Sequence, residues 1–169
     1  MKPKILILII VLFGVFSCNN QSKAPLTPEE KNEITEEVKA VMNSMMEGMK
    51  NLDVTQTFEN FLFNDDFKYI YVNGEVWNSK AFLEHVQSNF DAAKKVEWVF
   101  SDVDIRIVTP DVAVVTFIYH GTYYFPESTL SSPASSGSTL VLEKTADGWK
   151  VIHFQESLQK SDFVISDPE

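Results

Sequence analysis

The side chains able to carry acid–base, nucleophilic or metal chemistry are few in this chain. Histidine stands only at positions 85, 120 and 153, and cysteine only at 18. A general base for neutral pH needs a pKa near that of imidazole, about 6.5. His153, in "DGWKVIHFQES", could serve, with Asp66 or Glu156 orienting its ring. The plainer reading of a lone strand histidine is a hydrogen-bonded core residue. The three histidines lie on separate segments without ligand spacing and no second cysteine joins them, so neither a metal nor another cofactor is expected. The sequence has no nucleophile elbow, Gly-rich phosphate loop or carboxylate pair at catalytic spacing. Glu29-Glu30, Glu36-Glu37 and Asp65-Asp66 suit helix termini and surface.

The one cysteine has a different chemistry. Lys2 and Lys4 precede the apolar run Ile5–Phe16, which is too short to span a bilayer, since a span takes about 20 residues. A basic start followed by a short apolar core is a secretory signal pattern. Val15-Phe16-Ser17 before Cys18 resembles the lipobox of bacterial lipoproteins, with Phe16 bulkier than usual. The resemblance implies a signal peptide over 1–17, cleavage before Cys18, and acylation of its sulfur and new amino terminus. An ordinary signal peptide cut elsewhere is the alternative. The expected address is the bacterial cell envelope, with the chain lipid-anchored to a membrane on its periplasmic or surface-facing side.

After cleavage 152 of the 169 residues remain, enough for one domain with a core. Loss of Lys2 and Lys4 leaves 12 basic against 24 acidic residues, a net charge near −12. Such a surface repels phosphate backbones, so nucleic acid is not an expected partner.

The elements that must position these residues follow from periodicity. Residues 18–26 read as the lipidated cysteine and a polar tether, 27–158 as the domain and 159–169 as a tail. Thr27-Pro28-Glu29-Glu30 is a capping box with proline at the first helical position. Ile34, Val38, Val41, Met42, Met45, Met49 and Leu52 then form one face of a helix over about 28–50. Asp53 opens a second helix with Val54, Phe58, Phe61 and Leu62 as its apolar side. "FKYIYV" alternates, and Asn73-Gly74 predicts a tight hairpin returning through Glu75-Val76-Trp77. Asn78 or Ser79 caps a third helix with Phe82, Val86 and Phe90 buried. From Lys95 the period falls to two, giving four long strands, with Pro126–Ser138 read as a solvated loop.

Three helices followed by antiparallel strands is an α+β order. The strand "VAVVTFIYHGTYYF" is apolar on both parities, so both its faces need cover. The helices cover one; a second copy of the chain, a homodimer through the sheet, is expected on the other.

This order resembles the cone-shaped nuclear transport factor 2-like fold, in its SnoaL-like and ketosteroid-isomerase-like branches. "NLDVTQTFENFLFNDDFKYIYVNGEVWN", "KAFLEHVQSNF" and "DGWKVIHFQES" carry the likeness. It implies three N-terminal helices on a strongly curved antiparallel sheet, enclosing one elongated pocket. Matching the Asp65-Asp66 break places Tyr71 where the isomerase branch has its carboxylate base, and Met45 near its oxyanion-stabilising tyrosine. A phenol does not replace that base at neutral pH, and a thioether donates no hydrogen bond. Isomerase chemistry of that type is therefore not expected.

The expected pocket residues are Tyr69, Tyr71, His85, Trp98, Tyr119, His153 and Gln155. On the last strand Trp149, Val151, His153 and Gln155 share one parity, which we assign to the cavity, leaving Ile152 and Phe154 as packing. A bulge near Ser101-Asp102 could reverse Trp98. Three readings stay open: a binder of a small apolar or amphipathic molecule; an isomerase or hydrolase using His153 with Asp66 or Glu156; and a non-catalytic dimerisation or scaffold domain.

Overall fold

A computed structural model describes residues 25–126, 129–131 and 136–158. The signal segment, Cys18, the tether up to residue 24 and the tail from 159 lie outside the described residues. Helix α1, Pro28–Asn51, starts at the expected capping box: Thr27 Oγ1 accepts the Glu30 amide at 3.2 Å, and Glu30 Oε2 accepts the Thr27 amide at 2.7 Å. Its buried stripe is Ile34, Val38, Val41, Met42 and Met45. The helix ends at Leu52 in a left-handed conformation (φ 55°), which turns the chain into α2, Val54–Phe58, capped by Asp53. Helix α2 is shorter than its apolar pattern suggested, because Phe61 leaves the helix to bridge Val151 of the sheet.

Strands β1, Lys68–Ile70, and β2, Val76–Trp77, form the hairpin, with Gly74 at φ 87°. A left-handed turn position of this kind favours glycine. Asn78 caps α3, Ser79–Ala92, accepting the Ala81 amide at 2.9 Å. Four long strands follow: β3 (Lys95–Thr109), β4 (Val112–Tyr124), β6 (Ser136–Thr145) and β7 (Gly148–Leu158). The short β5, Thr129–Ser131, pairs with β4, so part of the expected 126–138 loop extends the sheet, and β6 begins inside it.

The strand order is β2-β1-β7-β6-β4-β3, with β5 beside β4. All pairs are antiparallel except β1 with β7, which makes the sheet mixed rather than wholly antiparallel. Three register irregularities occur in it, one of them between Ile107 and Thr109 at the end of β3, and the other two bear on the site. One lies in β3 between Ser101 and Asp104, with Asp102 at φ 50°; the other lies in β7, where Leu142 pairs Val151 but Val141 pairs His153, leaving Ile152 as an extra residue. Bulges bend a strand and increase its twist.

The inner face of the sheet packs Ala113, Val115, Leu140, Leu142 and Val151, all buried, against α1 and the phenylalanines of the 58–67 region. Trp149 closes this core: it is buried, and its Nε1 donates to Glu37 Oε2 of α1 at 2.7 Å. Lys144 joins the same carboxylate at 2.7 Å, and these two partners hold the Glu37 pKa below its ordinary value.

Candidate ligand pocket

The tapering sheet and the three helices do not fill the space between them. A partly open cavity of about 410 Å³ remains beyond the core. Helix α1 contributes Met45 and Met49, α2 Thr57 and Phe58, and α3 Phe82, His85, Val86, Asn89 and Phe90. The sheet contributes Tyr69 and its neighbour Tyr71, then Trp98, Phe100, Phe117, Tyr119, Tyr123, Phe154 and Glu156. The lining is dominated by rings in edge and tilted contacts. Tyr69 lies 4.3 Å from Phe82 and 5.1 Å from Phe154, and Trp98 lies 5.1 Å from Tyr119, centroid to centroid.

Trp98 can lie across β4 because its cross-strand partner is Gly121; a Cβ there would come 2.7 Å from the indole ring. Its Nε1 is buried without a hydrogen-bond partner. At one side of the cavity Tyr71 stacks on Trp77 at 4.7 Å, and His85 meets both rings edge-on. The Asn89 side-chain nitrogen is 3.0 Å from His85 Nε2, and partial burial lowers the His85 pKa below 6.5.

Glu156 is the one carboxylate among the described lining residues. Tyr69 donates its hydroxyl to Oε2 and Tyr119 donates to Oε1, the latter at 2.6 Å. Glu156 is half-buried and lines the cavity, and burial raises the pKa of its carboxyl against the opposing pull of the two phenols. Tyr69, Tyr119 and Tyr123 are all pushed up, first by burial and then by the charge of Glu156. The phenols therefore act here as hydrogen-bond donors, not bases.

The expected site is brought together in part. Tyr69, Tyr71, His85, Trp98 and Tyr119 line the cavity, and the β3 bulge falls beyond Trp98, leaving its inward side intact. His153 and Gln155 do not line it. Plain alternation from Trp149 and Val151 placed them inward, but the extra residue Ile152 reverses the parity, so Phe154 and Glu156 take the inner face. Phe154, assigned to packing, does both: it is buried in the core and lines the cavity. Gln155 lines a separate outer groove with Asp102, Thr116 and Ile118. His153 and Glu156 thus face opposite sides of β7, and Asp66 is exposed before β1, so the expected base and its orienting acid are not assembled. Tyr71 and Met45, matched to the isomerase positions, do line the cavity, as a phenol and a thioether. Among the described residues, no group of three or more His, Cys, Asp or Glu side chains is placed to hold a metal ion.

Sequence reasoning missed Tyr123, Phe100, Asn89 and Gly121, and weighed Glu156 only as a helper of His153. The usable signal for Glu156 was its conjunction with two strand tyrosines of matching inward parity, Tyr69 and Tyr119.

A helix-lined cone over a curved mixed sheet, hollow at one end, defines a class of pocket-bearing α+β domains. Residues 38–160 match the SnoaL-like domain family, and the chain belongs to it. Among solved structures it resembles a proposed scytalone dehydratase from Novosphingobium aromaticivorans, at 10% identity and TM-score 0.69, covering 79% of this chain and 89% of that one. It also resembles a proposed dehydratase of the NTF2-like family from Streptomyces avermitilis, at 16% identity and TM-score 0.66, covering 76% and 98%. An NTF2-like protein from Cytophaga hutchinsonii aligns at 22% identity and TM-score 0.60, covering 74% and 98%. At these identities the likeness establishes the fold. No curated protein matches the chain.

Proposed function

We propose that this protein is a lipid-anchored envelope protein whose SnoaL-like domain holds a small, largely apolar molecule in its cavity. The observation that carries the reading is the cavity itself: about 410 Å³, walled by aromatic rings, with a few polar groups at fixed places. Small-molecule sites have this composition, an apolar wall for affinity and sparse polar groups for orientation. The anchor at Cys18 and the envelope address rest on the order of basic start, apolar run and lipobox-like residues. Native mass spectrometry of the full-length protein tests the binding function. A stoichiometric co-purified small molecule, released on unfolding, supports it; a bare chain that no apolar compound in a broad panel stabilises against heat argues against it.

One observation favours an isomerase or dehydratase as a second reading. Glu156 is a buried carboxyl with a raised pKa, facing the cavity between two phenols, and such a group can exchange a proton with a bound substrate. Turnover of a β,γ-unsaturated ketone or a β-hydroxy ketone, lost in Glu156→Gln with folding intact, would favour catalysis.

A further inference from the structure

We propose that the cavity selects an organic cation: a protonated amine on an apolar, flat body, its charge set against Glu156. This deepens the binding reading above and rests on it. The first support is charge balance. Glu156 faces the cavity with neither lysine nor arginine among the described lining residues, and it takes part in none of the ion pairs found among the described residues. Its two partners, Tyr69 and Tyr119, are neutral donors that orient the carboxylate without neutralising it. A carboxylate offers about four acceptor positions. The two phenols occupy one on each oxygen, which leaves room for the N–H donors of a ligand.

The second support is the wall. Trp98, Tyr119 and Tyr123 form one continuous ring cluster, with Trp98 5.1 Å from Tyr119 and 5.7 Å from Tyr123. Ring faces attract cations, most strongly where water is excluded. A carboxylate and aromatic faces around the same space therefore favour the same charge. Before a guest binds, burial favours the protonated form of Glu156, and a cationic guest is the one that draws it into the carboxylate, whereas an anionic guest adds like charge with no compensating cation. His85, the basic side chain on the lining, does not compete, since burial favours its neutral form.

The test uses three guests with one skeleton, titrated by calorimetry into the full-length protein at neutral pH: tryptamine, tryptophol and indole-3-propionate. The expected order is tryptamine tightest, roughly tenfold over tryptophol, with the acid weakest. In Glu156→Gln the gap between amine and alcohol collapses. Should that variant fail to fold, Trp98→Leu keeps the carboxylate and lowers amine affinity more than alcohol affinity. Tryptophol binding as well as or better than tryptamine overturns the cation proposal while the pocket stands. Binding of none of the three, with no co-purified guest, overturns the pocket reading and this proposal together.

Discussion

At the scale of single residues, Glu156 sets both the chemistry of the cavity and its cost. A carboxyl moved from water into a mostly apolar wall favours its protonated form, and the hydrogen bonds from Tyr69 and Tyr119 recover only part of the loss. Its folded-state pKa therefore lies above the ordinary 4.5. The folded chain binds this proton more tightly than the unfolded chain, so the linked stability is fully present below 4.5 and is lost as the pH rises through the folded value. His85, also on the lining, has the opposite window: its lowered pKa gives stability that is present above 6.5 and lost as the pH falls through its folded value. Comparison with Glu156→Gln separates the two, since His85 is common to both proteins. The melting temperature of the wild type minus that of the variant should fall as the pH rises from 4 towards neutrality. A flat or rising difference would mean that the carboxyl is solvated rather than enclosed.

At the scale of elements, what was legible in the sequence divides by range. Helix starts were legible because Thr27, Asp53 and Asn78 cap amides three residues away, and the Asn73-Gly74 turn was legible for the same local reason. The inward parity of Tyr69, Tyr71 and Tyr119 also followed from strand alternation. The extra residue Ile152 was not legible, because it is defined by how β7 pairs with β6, and no glycine or proline marks it. That single residue exchanged His153 and Gln155 for Phe154 and Glu156 at the cavity. The parallel pairing of β1 with β7 was hidden likewise, since it joins segments more than 80 residues apart. The corner between α1 and α2 gives an element-scale prediction. In an exposed helix interior, glycine to alanine gains about 1 kcal/mol. Gly48 reverses that sign: a Cβ would stand 2.3 Å from the Thr57 nitrogen and 2.7 Å from its Cα, both of them backbone atoms. Gly48→Ala must open the corner, and it should destabilise the fold by about 1–3 kcal/mol in urea unfolding. Because Thr57 and Phe58 also line the cavity, guest binding should weaken in the same variant.

At the scale of the whole molecule, we propose a second copy of the chain on the outer sheet face and a lipid anchor at Cys18. The outer face of β4 carries half-buried Val114 and Ile118, and β3 exposes Val99 and Val108 at 63% and 56%. A homodimer that covers this face leaves the cavity, on the inner side, free in each copy, and light scattering at micromolar concentration should give twice the chain mass. Membrane attachment has a sharper test because its two physical sources carry opposite signs. A chain cleaved before Cys18 would carry a net charge near −12 and be repelled by anionic headgroups, so electrostatics would not hold it on a bilayer. Acyl chains on Cys18 can, at about 0.8 kcal/mol for each buried methylene, and two or more chains make the attachment durable. Wild-type protein should therefore stay with the membrane fraction through a high-salt wash that strips ionic binders. Cys18→Ser, which removes the sulfur and the cleavage context together, should lose the lipid label and the mass shift of acylation. Retention of that mass shift in Cys18→Ser, or a wild-type chain that salt releases, would remove the anchor and leave the acidic domain free of the surface.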